Sequence, residues 1–503
     1  MGGKLLETRG FDNGKYLAEQ TGAIASRLAQ FSGRLYLEFG GKLMYDLHAS
    51  RVLPGYDPNV KIRLLQELRD QAEIILCIYA GDIEKRKMRG DFGISYDADA
   101  MRLIDDLRRR DLSVCGVVIT RYAEQPAAEV FRNRLERSGV RVYAHPFTRG
   151  YPTDTDLVVS SEGYGRNDYI QATKPLVVVT GPGPGSGKLA TCLSQLYHDH
   201  RRGVNSGYAK FETFPIFNLP LKHPVNAAYE AATAELGDVN MIDPYHLEAY
   251  GTPVVNYNRD VEAFPLLRRI LEKITGSLSP YASPTDMGVN RAGFGIVSDD
   301  AVREASKQEM VRRYFRYRCE FVMGLVEEKT LQKVELLLKD HGISPEYRSV
   351  VLPARAAAAD DPSGVPRTGA AIELPDGSIL TGRNSDLMTA ASAVVINAIK
   401  RLAGIPDRIH LLTPETIASI RKLKETLGGP RTCLTLDEVL IALGISATNS
   451  PATLEALERL PMLAGAEVHI THIPVPGDEE GFRRLGVNLT TDASFDSLNL
   501  FNG

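Results

Sequence analysis

Up to about residue 175, short apolar runs alternate with polar segments of helical periodicity. RLYLEF (34–39), EIILCIYA (73–80), SVCGVVIT (113–120), VRVYAH (140–145) and DLVVSS (156–161) are rich in β-branched and other apolar residues and read as strands. Between them, KIRLLQELRDQ, AMRLIDDLRRR and AAEVFRNRLERSG repeat apolar residues every three or four positions, as a helix packed on one face requires. This alternation predicts a parallel sheet covered by helices. PLVVVT (175–180) adds a further buried strand, and a glycine-rich segment follows it directly. Beyond that segment Leu189, Cys192, Leu193 and Leu196 fall at i, i+3, i+4 and i+7, which predicts an amphipathic helix lying on the sheet.

The pattern then changes twice. Residues 206–297 are dense in Pro, Asn, Asp and His and weak in periodicity, the composition of loops that line a site. Residues 298–345 read as two helices, opened by Ser298 and Asp299 and stopped by Gly342. After an expected exposed loop, AAAADDPSGVPRTG, the segment AAIELPDGSILTG reads as a hairpin turning at Asp376 and Gly377, and helices then alternate with the strands RIHLL and AEVHITHI. The expected fold class is α/β: an N-terminal parallel sheet with a P-loop-like strand–loop–helix, a helical segment, and a C-terminal α/β domain. The expected boundaries are 1–297, divisible into 1–174 and 175–297, then 298–345 and 346–503.

Composition narrows the partners. A chain of 503 residues has room for about three domains. Its 59 basic and 63 acidic side chains nearly cancel, so no global positive field exists to hold nucleic acid or an anionic membrane. Cys77, Cys115, Cys192, Cys319 and Cys433 are odd in number and far apart, which reads as reduced thiols rather than disulfides or a zinc site. The start lacks a secretory apolar core and no stretch approaches the roughly 18 apolar residues of a membrane span, so the expected location is cytoplasmic, with a symmetric homodimer one assembly open to it.

The glycine-rich segment carries the sharpest chemistry. Gly181, Gly183, Gly185, Ser186, Gly187 and Lys188 stand between a buried strand and a helix. Bare backbone there lets N–H groups converge on an anion, the helix N-terminus adds donors and a favourable dipole, and Lys188 adds a point charge. The spelling departs from a phosphate-loop consensus. Counting back from Lys188, the first consensus glycine falls at Pro182, and Leu189 replaces the Ser or Thr that binds magnesium. Thr191 lies roughly 300° around the helix and cannot substitute. Anion binding is therefore better supported than magnesium-nucleotide hydrolysis. A dinucleotide fingerprint fits worse, since its third glycine would be Ser186 or Lys188; Glu212, ending YAKFE, stands where a ribose-binding acid would, but about 30 residues on rather than about 20. The plainest alternative is a rigid turn.

Other candidates surround this loop in sequence. Glu38, Gly40, Gly41 and Lys42 end a strand, with His48 and Arg51 following, and could form a second anion-contacting loop at the sheet edge. Asp243, ending VNMID, stands where a magnesium-holding carboxylate is expected, yet with Pro244 behind it is equally a helix N-cap. Asp286, Asn290, Asn256, Asn258, Arg259 and Asp260 are ribose, base or phosphate contact candidates that read as well as turn residues. Lys210, Lys222, His223 and His246 could supply charge or acid–base chemistry. His469 and His472 lie three apart on a strand and face opposite sides, so with Asp478 they make a poor metal site; His198 and His200 suit a helix C-terminus.

The run TGPGPGSGKLATCLSQLYHDHRRG, the segments GYAKFETFPIFNLPLKHPVNAAYEAATAELGDVNMIDPYHLEAYG and SPTDMGVN, LYLEFGGKL and HASRVLPG near the start, and the C-terminal GRNSDLMTAASAVVINAIKRLAGI together resemble a family of uncharacterised bacterial proteins of the domain-of-unknown-function class. The resemblance covers nearly the whole chain and implies no particular activity; it implies an N-terminal α/β unit, a helical segment and a C-terminal α/β unit. The residues themselves point to a nucleotide or other phosphorylated ligand at a divergent P-loop. Phosphoryl transfer or nucleotide-dependent ligation would use Lys188 with magnesium on Asp243. The alternatives are a noncatalytic or regulatory phosphate-ligand-binding protein, and a metal-independent enzyme acting on a phosphorylated metabolite through His223 or His246.

Overall fold

Six strands form one all-parallel sheet: β1 (Leu35–Phe39), β2 (Ala72–Tyr79), β3 (Val114–Thr120), β4 (Val142–His145), β5 (Leu176–Thr180) and β6 (Gly207–Phe211), in the spatial order β4-β3-β2-β5-β1-β6. The computed structural model describes residues 9–89, 93–359, 367–428 and 432–495. The long apolar runs of β2 and β5 are buried on both faces, as a sheet covered on both sides demands. The main helices of this part are α1 (Asn13–Leu28), α2 (Val60–Glu67), α3 (Tyr96–Arg108), α4 (Pro126–Arg137), α5 (Lys188–Arg201) and α6 (Asn258–Thr275). On one face, Tyr36, Cys77, Val177, Val179 and Tyr208 pack with Cys192, Leu193 and Leu196 of α5 and Phe264, Ile270 and Leu271 of α6. On the other, Leu76, Ile78, Val117 and Ile119 pack with Ala100 and Ile104 of α3 and Phe131 and Leu135 of α4.

The chain divides into two compact units. One comprises the described residues up to Glu230 with Asp238–Ser306; the other comprises Ala231–Gly237 and the described residues from Lys307 onward. The boundary falls inside the helix Asp299–Val322, the first of the two helices expected over 298–345; the second is Glu328–Asp340.

The C-terminal unit has its own sheet of β7 (Gly369–Glu373), β8 (Ile379–Arg383), β9 (Glu467–Ile470) and β10 (Asn488–Thr491), ordered β8-β7-β9-β10, with the expected hairpin between β7 and β8. The helices Ala390–Leu402, Leu436–Ser446 and Pro476–Leu485 supply Val394, Val395, Val439, Leu443 and Phe482 to its core. Asp478 accepts from the Thr389 hydroxyl at 2.9 Å and the Leu436 N–H at 2.8 Å, while His469 bonds Thr490 at 2.9 Å, so these groups hold the fold together.

Two expected strands are absent. In DLVVSS, Asp154 caps a helical turn, Thr155–Val158, by accepting from the Leu157 N–H at 3.0 Å, and Val158 still reaches the core. A β-branched run this short does not resist a strong N-cap. RIHLL is irregular: Leu411 and Leu412 are buried, but the Leu411 carbonyl accepts from Thr453 at 2.8 Å instead of joining a ladder. The expected exposed loop begins as the end of the helix Val351–Ala359, and residues 360–366 of it lie outside the described residues. Among the described residues no helix is long and apolar enough to cross a membrane.

The amino edge of the main sheet is tied by one carboxylate. Asp199, near the C-terminus of α5 and fully buried, accepts from Arg34 (3.2 Å), Tyr36 (2.9 Å), Tyr169 (2.9 Å) and Ser206 (2.6 Å). Replacing it leaves three hydroxyls without this acceptor and strips the half-buried Arg34 of its carboxylate, leaving it the Ala172 carbonyl. Asp199→Ala is expected to lose about 2–4 kcal/mol of stability in denaturant titration, since each buried hydroxyl left unpaired costs about 1–3 kcal/mol; a loss under about 1 kcal/mol shows that solvent replaces the carboxylate freely.

Candidate functional site

The loop 181–187 leaves the carboxyl end of β5, and α5 starts at Lys188. From β2 the chain continues outward to β3, whereas from β5 it passes β1 to reach β6. Neighbouring strands whose connections depart in opposite directions leave a crevice at their carboxyl ends, where open α/β sheets place ligands. Gly185 (φ 73°) and Gly187 (φ 89°) adopt left-handed conformations that favour glycine. A Cβ would also stand 2.6 Å from Thr120 at Gly187, 2.5 Å from the Cys77 carbonyl oxygen at Gly181 and 2.5 Å from the Tyr96 hydroxyl at Gly183. Packing thus accounts for the small residues at 181, 183 and 187. What packing leaves unexplained is the row of donors. Among the described residues, the N–H groups of Gly185, Ser186, Gly187, Lys188 and Leu189 donate to no protein acceptor, and Gly187 brings no side-chain cap to the helix.

Around this row the polar groups are fixed. Thr120 donates to the Ser186 carbonyl at 2.9 Å, holding the loop to the end of β3. Lys188 bends back over the loop, donating to the Gly183 carbonyl at 3.2 Å and the Ser186 hydroxyl at 3.3 Å. Thr191 is buried and accepts from the Cys77 thiol at 3.4 Å.

Next to the loop lies a charged cluster built by strand register. Glu38 of β1 pairs laterally with Val179 of β5 and with Lys210 of β6. It accepts from the Tyr208 hydroxyl at 2.7 Å. Lys210 forms ion pairs with Asp260, at the start of α6, and with Glu212 at 3.2 Å. Glu212 occupies the space over Gly40, where a Cβ would lie 2.4 Å from its Cγ, and its N–H donates to Asn290 at 2.7 Å. Burial lowers the Lys210 pKa, but the charges of Asp260, Glu212 and Glu38 outweigh it and raise the value overall. Burial pushes the Glu212 carboxyl up to about 7; Lys210 and Arg259 pull it down while Asp260 and Glu38 reinforce the rise. Beside them Arg259 pairs with the buried Asp238 at 3.4 Å. Tyr257 stacks on Tyr229, and its buried hydroxyl has no hydrogen-bond partner.

The remaining candidates fall elsewhere. On the opposite side of Gly41 and Lys42, the buried Lys61 donates to the Lys42 carbonyl at 3.1 Å and pairs with Asp46 at 2.8 Å. Asp243 is the N-cap of the helix Pro244–Tyr250: one carboxylate oxygen takes the N–H groups of Tyr245 and His246, and the other takes Thr285 Oγ1 at 2.6 Å and the Thr285 N–H at 3.2 Å. The capping alternative is thus the geometry found, and both oxygens are engaged. Asp286 closes a capping box with Ser283 and accepts from Tyr250 at 2.8 Å. His246 bonds Ser283 at 3.0 Å, and His223 bonds Asp299 at 2.8 Å instead of facing the loop. No group of three or more His, Cys, Asp or Glu among the described residues could hold a metal ion.

Two clefts lie beside β6, whose Lys210 forms a β-bridge with Gly288. One, of about 240 Å³, is lined by Arg27, His246, Asp286, Asn290 and Arg291; the other, of about 490 Å³, runs between α1 and Gly288 to Arg291. Neither includes the loop, and Asn290 links the first to Glu212. Tyr96 and Thr120 were not legible as site residues, because nothing in their local sequence marks them; Tyr257 stood unmarked among the candidates Asn256, Asn258, Arg259 and Asp260.

The raised Glu212 pKa has a stability consequence of definite sign. The folded state holds this proton more tightly than the unfolded chain, so the contribution is present below about 4.5 and is lost as pH rises through about 7. The melting temperature of Glu212→Gln, relative to the unaltered chain, is expected to climb between pH 5 and pH 8. A difference that stays constant shows an ordinary carboxyl.

Comparison with known proteins also divides the chain in two, but between residues 342 and 346 rather than inside the helix Asp299–Val322. The model described as "Domain of unknown function DUF1846, N-terminal" matches residues 9–342, and "Domain of unknown function DUF1846, C-terminal" matches residues 346–501. A UPF0371 protein of Clostridium botulinum strain 657 is 56% identical over 497 residues, covering 98% of this chain and 99% of the relative. A UPF0371 protein of Clostridium tetani strain Massachusetts is 54% identical over 497 residues with the same coverage. With both family models matched and relatives aligned almost end to end, the chain belongs to the bacterial DUF1846 (UPF0371) family.

Proposed function

We propose that this chain binds a phosphorylated small molecule, with the phosphate on the 181–188 loop and Lys188 as its counter-charge. The observation that carries the reading is the row of five N–H groups without a protein acceptor at the start of α5, at a topological switch point of a parallel sheet. Donors at a helix start need a partner, and converging amides aided by the helix dipole select an anion. The bonds made by Lys188 to Gly183 and Ser186 keep its charge over the same loop.

The side chains favour a metal-independent site over magnesium-nucleotide chemistry. Leu189 offers no hydroxyl, Thr191 is turned to Cys77, and Asp243 caps a helix with one oxygen and holds Thr285 with the other. Phosphate charge is then balanced by the amides and Lys188 alone. This supports an enzyme acting on a phosphorylated metabolite, or a binding protein for one, ahead of phosphoryl transfer or ligation. Glu212, one strand beyond β1 at the same sheet edge, with its carboxyl pushed up to about 7 by burial, favours the enzyme.

Thermal shift with inorganic phosphate, phosphosugars and mono-, di- and triphosphate nucleotides tests the loop. A ligand at 100 times its dissociation constant stabilises the folded state by about 2.7 kcal/mol, a shift of a degree or more. Lys188→Ala is expected to fold normally and to bind tenfold or more weakly. If no phosphorylated compound shifts the melting temperature, the phosphate reading is wrong. In the same assay, chelating divalent ions is expected to leave the shift intact; its loss on chelation overturns the metal-independent reading.

A further inference from the structure

We propose that Glu38, Lys210, Glu212, Asp260 and Tyr257 form a second subsite, which takes the uncharged, hydroxyl-bearing body of the phosphorylated ligand. The proposal rests on the reading of 181–188 as the phosphate loop. It assigns the part of the ligand that the loop does not touch, and so the substrate class: a phosphomonoester of a polyol, sugar or nucleoside.

Three observations converge on it. The first is placement. Only β1 separates β5, which carries the loop, from β6, which carries Lys210 and leads into Glu212. Strands are about 4.8 Å apart, so the two sheet ends are separated by roughly 10 Å, within the reach of a small sugar phosphate. Lys210, Glu212 and Asp260 keep 17%, 16% and 18% of their side chains exposed, so the cluster can be reached from outside.

The second is charge. Glu38, Glu212 and Asp260 surround a single lysine, while the nearby Arg259 is paired with Asp238. A phosphate or carboxylate brought here is repelled by the carboxylates. A hydroxyl is not: it donates to a carboxylate and accepts from Lys210. The two subsites therefore sort the ligand by charge, with the anionic end on the loop and the neutral end on the cluster.

The third is an orphaned hydroxyl. Tyr257 is 1% exposed, and its Oη has no hydrogen-bond partner. It caps the start of α6 three residues before Asp260, with its ring stacked on Tyr229; burial, then the charges of Tyr229, Glu212, Asp238 and Asp260, raise its pKa, so it is a neutral donor. A buried hydroxyl left unpaired costs stability, and a ligand hydroxyl would remove that penalty.

The test is calorimetric titration of the full chain at pH 7 with inorganic phosphate, glycerol 3-phosphate, ribose 5-phosphate, glucose 6-phosphate and adenosine monophosphate. At least one of the four esters is expected to bind tenfold or more tightly than inorganic phosphate. Glu212→Gln should cut that preference at least fivefold while leaving inorganic phosphate unchanged. Tyr257→Phe removes only the unpartnered hydroxyl, so it keeps the ion cluster whole and should reduce the preference in the same way even if Glu212→Gln folds poorly. Lys188→Ala should weaken every compound equally. Binding of phosphate with no ester preferred, or a preference that survives in the folded variants, overturns the subsite and leaves the loop reading standing. Failure of every compound, inorganic phosphate included, overturns the loop reading and this proposal with it.

Discussion

Insertion of β1 between β5 and β6 sets the chemistry of the carboxyl edge. Register aligns Glu38 with Val179 on one side and Lys210 on the other, so a carboxylate sits between the glycine loop and the half-buried lysine. In a parallel sheet all strands end at one edge, and the polar residues that finish them gather there without any local sequence instruction. Here that gathering brings together groups 150 and more residues apart in the chain. Gly40 must lack a side chain for Glu212 to fold over it, and Asn290 must reach back to hold the Glu212 backbone.

The two halves of this edge solve opposite electrostatic problems. The loop side has donors in excess, namely backbone N–H groups, a helix N-terminus and Lys188. The β6 side has acceptors in excess, with three carboxylates around Lys210. Neither arrangement is the cheapest for a scaffold, since unmatched polar groups in a partly buried site cost stability. The opposite face of the sheet shows what a matched arrangement looks like: Lys61, buried against the rings of Phe39 and Phe211, meets one carboxylate and one carbonyl.

Period and punctuation made the architecture legible. The strand–helix alternation, the burial of β5, the stripe of α5 and the β7–β8 hairpin all follow from local pattern. DLVVSS and RIHLL misled because a cap at Asp154 and a bond from Thr453 to Leu411 compete with the ladder, and the second of these is long-range. At the site, Glu38, Lys210, Glu212, Asp260 and Asn290 were each visible as candidates, but only topology brings them together. Asp243 and His223 looked equally chemical; the cap that Asp243 makes with Pro244 behind it was legible, but its bond with Thr285 and that of His223 with Asp299 join residues that no local motif connects. Tyr257 carried no signal at all, because an orphaned hydroxyl is a property of packing.

The carboxylate at the far end of α5 bears on how the near end responds to charge. An anion near a helix C-terminus is disfavoured by the dipole, so Asp199 stays only because β1, the segment before β6 and Tyr169 all grip it. That grip makes the helix a strut clamped at its base. An anion bound as proposed at the other end would meet amides whose positions are already set by the same rod, leaving the reorganisation to the side chain of Lys188.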